Sequence, residues 1–168
     1  AQGGEMAASR RVTKAVTDVI DLAPRKGEVT VARLVTAVGE RRGRPIAIRM
    51  AELPSGVCGQ WRQYADDDVF LIQQGLPTWE RTLAHELGHL VLEHGGIPVV
   101  EAARNTAELA SDDLISYMLN QRTGCMGPSG QEAEQEADDF AALLIYRLGR
   151  IPSDPSSRPQ VRLGEAFG

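Results

Sequence analysis

Residues 85–89 read His-Glu-Leu-Gly-His, an HExxH pattern with two histidines four positions apart and a glutamate after the first. On an α-helix, side chains four positions apart share a face with Cβ atoms about 5–6 Å apart, so both imidazoles can reach one metal ion. The glutamate lies about 100° further round, where its carboxylate can act on a water at the metal without being a ligand. The segment therefore predicts a helix carrying a zinc hydrolase site. The competing interpretation is a surface helix that holds these residues by chance.

Flanking signals predict a helix of about four turns around this motif. Thr78 can act as its N-cap, Glu80 lies in the first turn where the helix dipole favours an acid, and the Gly-Gly-Ile-Pro segment 95–98 ends it. Gly88 costs about 1 kcal/mol relative to alanine inside a helix. We therefore expect a neighbouring element or a substrate to approach the helix closely at this glycine.

Two histidines leave a catalytic zinc site incomplete, since such sites usually have three protein ligands. The chain has 3 histidines in all. The third, His94, would lie about 180° from His85 around the helix axis if the helix continued. His94 is therefore the less favoured candidate for the third metal ligand. We expect His94 to be a solvated residue that the dipole favours at the helix C-terminus.

A second helix, over residues 131–148, offers acids as the third ligand. Its apolar residues share one stripe, formed by Ala133, Ala137, Phe140, Leu144 and Leu148. Glu134 lies about 60° from this stripe and Asp138 about 100° on the same side, whereas Glu136 lies about 100° off on the opposite side. We predict Glu134 as the third ligand, Glu136 as the alternative and otherwise a solvated charge, and Asp138 as an acceptor that orients a ligand imidazole. An acidic first turn that only complements the helix dipole would contain the same residues.

Together, the HELGH motif and the segment 134–144, Glu-Gln-Glu-Ala-Asp-Asp-Phe-Ala-Ala-Leu-Leu, resemble the ImmA/IrrE family of small zinc metallopeptidases. The resemblance covers roughly residues 45–148, and the two motifs carry nearly all of its specificity. The chain departs from the family pattern in the stretch 98–130, which is longer than the usual connection.

This resemblance implies a zinc ion bound by His85, His89 and Glu134, with Glu86 as the general base. Members of the family are typically encoded beside a helix-turn-helix repressor, which they cleave or inactivate. The resemblance therefore implies a zinc-dependent endopeptidase whose substrate is a specific protein partner, a DNA-binding repressor.

The alternative function is a non-catalytic, zinc-containing regulatory module that binds a partner protein. Retention of Glu86 favours the enzyme, because a purely structural zinc site needs no base and usually closes its fourth position. A donor for the developing oxyanion is harder to identify. Among the 3 tyrosines of the chain, we favour Tyr117.

Length and composition predict a single domain over residues 6–148, followed by a flexible tail over 149–168. A chain of 168 residues with 42% hydrophobic content is long enough for one core. No apolar run approaches a membrane span and no signal-peptide pattern is present, so we expect a cytoplasmic protein. The net charge of -5 argues against direct nucleic-acid binding. We expect Cys58 and Cys125 to be reduced thiols, and the basic run at 41–44 to be a solvated helix end.

The predicted fold class is α+β. It has a helical N-terminus and a small antiparallel three-stranded sheet, followed by a zincin-like active-site helix packed with the second ligand-bearing helix. The remaining elements are helices over 12–20, 31–38 and 101–122, and strands over 45–50, 57–64 and 69–73. The helix over 101–122 is expected to lie over the cleft.

Overall fold

The computed structural model describes residues 8–95, 97–98 and 128–152. Its elements in chain order are α1 (Arg10–Asp21), α2 (Val31–Arg42), β1 (Ile46–Ala51), β2 (Gly59–Gln63), β3 (Asp68–Gln73), α3 (Trp79–Val91), β4 (Ile97–Pro98) and α4 (Pro128–Leu148). The α+β class is thereby confirmed. The predicted helix over 101–122, with Tyr117, lies outside the described residues, as do Cys125 and most of the predicted tail.

The sheet is mixed, with strand order β1-β3-β2-β4. Strands β2 and β3 form the predicted antiparallel hairpin, with Trp61 opposite Phe70. Strand β1 lies on the other side of β3 and runs parallel to it, with Ile48 opposite Phe70. The prediction of a wholly antiparallel sheet is therefore wrong. The connection over 52–58 is long enough to cross two strand spacings, about 10 Å, so the hairpin inserts β3 between β1 and β2.

Helices α1 and α2 pack against α3 and α4 in one hydrophobic core. Ser9 caps α1 by accepting a hydrogen bond from the Val12 backbone N–H, and Thr30 caps α2 in the same way from that of Arg33. Apolar stripes from both helices join the buried face of α3 in one core, which includes Val12, Val16, Leu34, Val35, Leu83, Leu87, Phe140 and Leu144. No helix within the described ranges is long and apolar enough to cross a membrane.

Helices α3 and α4 approach each other closely at Gly88. A Cβ atom placed on Gly88 would lie 3.0 Å from Cδ1 of Phe140, which is itself fully buried. The neighbour expected from this helical glycine is therefore an aromatic side chain of α4. Because the two helices pack so tightly here, Glu134 and Asp138, six and two residues before Phe140 on α4, lie beside the histidines of α3.

Asp68 is a fully buried carboxylate at the start of β3, where the basic run after α2 meets the sheet. Its Oδ2 accepts hydrogen bonds from Arg42 Nη1 at 3.0 Å and Arg44 Nε at 2.9 Å, and its Oδ1 accepts one from Trp61 Nε1 at 3.1 Å. The expectation of a solvated helix end is wrong for Arg42 and Arg44. Gly43 takes the left-handed conformation, φ 65°, and ends α2, and both flanking arginines reach Asp68.

We expect Gly88→Val to destabilise the protein by about 1–3 kcal/mol, because the added side chain must push Phe140 and α4 away from α3. Urea unfolding of the metal-free protein measures this change. Ala142→Val on the exposed face of α4 is the matched control, since it adds a β-branched side chain without a buried clash. Equal stability of the two variants would contradict the close packing at Gly88.

Candidate metal centre

Three side chains predicted as metal ligands meet at the interface of α3 and α4. His85 Nε2 lies 3.0 Å from His89 Nε2 and 3.1 Å from Glu134 Oε2. His89 Nε2 lies 3.1 Å from Glu134 Oε1. These residues form a group that can hold a metal ion. Of the two acids considered for the third position, the structure brings Glu134 to the histidines, as predicted, and leaves Glu136 outside the group.

The donor atoms of this group suit a small divalent cation. Ligands at about 2.0–2.1 Å from a tetrahedral zinc are separated by about 3.3 Å, close to the separations found here. Asp138 Oδ1 lies 2.8 Å from His85 Nδ1, the contact predicted for it. Because an ionised carboxylate only accepts hydrogen bonds, this contact keeps the proton of neutral His85 on Nδ1 and leaves the Nε2 lone pair facing the group.

The ionisation of the group also favours bound positive charge. Hydrogen bonds from His85 and His89 hold the pKa of Glu134 far below its usual range. Burial lowers the pKa of His85, but its hydrogen bond to Glu134 and the charges of Glu86, Glu134 and Asp138 outweigh burial and raise it overall. The carboxylate therefore stays ionised, and its charge favours either a proton or a metal ion at the imidazole nitrogens that face it.

Glu86 lies beside the ligand group without belonging to it. Glu86 is 7% exposed and packs against Gly59 at the start of β2. A Cβ atom placed on Gly59 would lie 3.0 Å from Glu86 Oε1 and 2.7 Å from Thr82 Cγ2. Gly59 therefore provides the space that the carboxylate fills. Burial raises the pKa of Glu86, partly opposed by the charges of His89 and His85.

The group opens into a cleft of about 620 Å³ between β2, α3 and α4. Its walls include Cys58, Gly59, Arg81, Thr82, His85, Glu86, His89, His94, Glu134 and Asp138. Cys58, which the sequence predicts only as a reduced thiol, is exposed and lies on the cleft wall. The signal that could have placed it there is its position at the start of the predicted strand 57–64, directly before the glycine that contacts Glu86.

His94 and Glu136 were both expected to be solvated, and both expectations are wrong. Their side chains are 8% and 18% exposed, respectively. The helical angles used for His94 fail because α3 ends at Val91 and Glu93 takes a left-handed φ of 60°, so the chain turns back and brings His94 Nδ1 to 3.0 Å from His89 Nδ1. Glu136 pairs with Arg11 of α1 at 3.0 Å.

The chain matches no protein-family model and no curated protein. The resemblance to the ImmA/IrrE family therefore depends on the two motifs alone, and membership of that family stays a prediction.

We expect Glu134→Ala to lose bound zinc, whereas Glu136→Ala, two residues along the same helix, retains about one zinc per chain. Metal content after dialysis against trace zinc distinguishes them, and circular dichroism controls for folding. In wild type, free zinc at about 100 times its dissociation constant should stabilise the fold by about 2.7 kcal/mol. Loss of zinc from Glu136→Ala but not from Glu134→Ala would reverse the ligand assignment.

Proposed function

We propose that this protein is a zinc-dependent endopeptidase that hydrolyses a specific protein partner. The observation that carries the proposal is the position of Glu86, a buried acid next to a group of two imidazoles and a carboxylate, in a cleft open to a ligand. Two histidines and a glutamate are a typical protein ligand set of catalytic zinc sites, which keep a further position for water or substrate. A site that served only stability would have no use for the additional acid.

In this proposal His85, His89 and Glu134 hold the zinc ion. A zinc ion held there would supply Lewis acidity to a carbonyl oxygen and to water. Asp138 accepts the hydrogen bond from His85 Nδ1 and so fixes the orientation and the tautomer of that ligand.

Glu86 acts as the general base. Its carboxylate takes a proton from the water that attacks the scissile carbonyl and then delivers it to the leaving amine, so no net proton is gained or lost by the residue. The raised pKa that burial gives Glu86 makes the carboxylate a stronger base than an exposed glutamate. Its packing against Gly59 limits the orientations of the side chain.

The substrate would bind as an extended strand beside β2. Cys58 O accepts a hydrogen bond from Gln73 N at 2.8 Å, so the backbone of Cys58 faces β3. In an antiparallel pair, successive residues of a strand face alternately towards and away from the partner strand. The backbone N–H and C=O of Gly59, opposite Ile72, therefore face away from β3. Within the described residues, β4 pairs with β2 only at Arg62 and Gln63. The backbone at Gly59 is thus available for strand addition, the mode in which peptides bind to sheet edges.

A DNA-binding repressor is the partner that the ImmA/IrrE-like motifs favour, and such a partner would place the reaction in the cytoplasm. The net charge of -5 suits a basic partner of this kind, because complementary charge speeds association. The non-catalytic module would use the same ligands, so only variants of Glu86 separate the two functions.

We expect Glu86→Gln to retain zinc and the fold while losing hydrolysis by at least about 100-fold, since it removes the base but keeps the side-chain shape. Turnover of a cleaved substrate and metal content are measured on the same samples. Glu80→Gln, in the exposed first turn of α3, is the control and should keep full activity. Zinc loss from Glu86→Gln would place Glu86 among the ligands and contradict the mechanism.

We expect the protein to cleave one specific partner and to cleave generic proteins poorly. Substrate choice would depend on strand addition and on docking of a folded partner, because the proposed binding mode does not use a deep side-chain pocket. The zinc-loaded protein is incubated with the product of an adjacent regulator gene and, separately, with casein, and fragments are identified by mass spectrometry. Cleavage of the regulator alone is expected. Equal cleavage of both rejects the specificity, and tight regulator binding without cleavage, identical in wild type and Glu86→Gln, favours the non-catalytic module.

A further inference from the structure

Each histidine of the proposed zinc site has a hydrogen-bond partner on the ring nitrogen that faces away from the group. For His85 this partner is Asp138, a carboxylate with 57% of its side chain exposed. For His89 it is His94, whose Nδ1 lies 3.0 Å from His89 Nδ1 and whose side chain is 8% exposed. The two ligands are thus oriented by different chemistry, an exposed anion in one case and a buried imidazole in the other.

The position of His94 excludes it as a ligand in this arrangement. It contacts Nδ1 of His89, whereas Nε2 of the same ring faces His85 and Glu134. The two nitrogens lie on different edges of the imidazole, so a metal at the ligand group lies beyond the reach of His94. The contact between the two histidines is therefore a hydrogen bond on the side of the His89 ring that faces away from the ligand group.

Metal binding through Nε2 determines the direction of that hydrogen bond. A neutral His89 that offers its Nε2 lone pair to a metal has its proton on Nδ1, and this N–H must donate. His94 Nδ1 must then accept, which leaves the His94 proton on Nε2. Among the residues that the structure describes, Nε2 has no hydrogen-bond partner, although it is buried and lies 3.8 Å from Glu136 Oε1, an anion that favours the N–H.

The surroundings of His94 hold it in this orientation. Glu136 accepts hydrogen bonds from Arg11 Nη1 at both carboxylate oxygens, and Arg11 Nη2 donates to the backbone carbonyl of Leu92. These contacts connect α1, α4 and the end of α3 around the imidazole. The left-handed backbone at Glu93 then turns His94 inwards towards His89.

We propose that His94 is a positioning residue that accepts the Nδ1–H of His89 and thereby keeps that ring in the tautomer and orientation needed to bind zinc. This inference rests on the zinc site of the proposed function. Loss of a hydrogen-bond partner behind a metal ligand typically weakens metal binding by about 10–100-fold. His94 should therefore determine how tightly zinc is held, without being required for zinc to bind at all.

The experiment compares three proteins with wild type. His94→Leu keeps most of the side-chain volume but removes the acceptor, and His94→Asn keeps an acceptor oxygen near the position of Nδ1. Leu92→Val, a small loss of packing at the same helix end, is the matched control. Zinc affinity is measured by competition with a chromophoric chelator, and the visible spectrum of the cobalt(II)-loaded proteins reports the ligand geometry independently of activity.

We expect His94→Leu to bind zinc about 10–100-fold more weakly with an altered cobalt spectrum, and His94→Asn to recover much of that loss. The control should match wild type in both measurements. Wild-type affinity and spectrum in His94→Leu would overturn the role of His94, as would an equal loss in His94→Asn and His94→Leu, which would indicate packing alone. Failure of wild type itself to bind zinc or cobalt would instead overturn the zinc site on which this inference rests.

Discussion

The geometry of the site follows from the close packing of α3 against α4 at Gly88. With no side chain at this position, Phe140 comes into direct contact with α3, the helix of the two candidate histidine ligands. Glu134 and Asp138 lie six and two residues before Phe140 on α4, and they reach the two ring nitrogens of His85 because the helices are this close. Tertiary packing, and not the HExxH motif alone, therefore completes the ligand group.

The placement of the site residues followed largely from the sequence, because helical periodicity is a local property. The angular positions along α4 favoured Glu134 over Glu136, and the structure brings Glu134 to the histidines. The same angles placed Asp138 on the ligand side, where it contacts His85. The internal glycine of α3 also indicated a close neighbour, although periodicity could not say that the neighbour is aromatic.

The failed expectations all depend on chain reversals or on long-range order. Left-handed conformations at Gly43 and Glu93 end two helices and redirect the following residues, so angles extrapolated from the helix no longer apply. Arg44 thereby reaches a buried aspartate, and His94 reaches His89. The hydrophobic pattern predicts where the strands are and which of their faces are buried. It does not predict the order of the strands in the sheet, because that order depends on the path of the connections between them.

The proposed zinc site consists of two imidazole nitrogens and one carboxylate oxygen, in a cleft that also exposes the Cys58 thiol. X-ray absorption at the zinc edge of the purified, zinc-loaded protein distinguishes these ligands from sulfur. We expect one zinc per chain with only nitrogen and oxygen neighbours at about 2.0–2.2 Å, two of them imidazoles. A sulfur neighbour at about 2.3 Å, which would indicate ligation by Cys58 or another cysteine, or the absence of imidazole scattering, would contradict it.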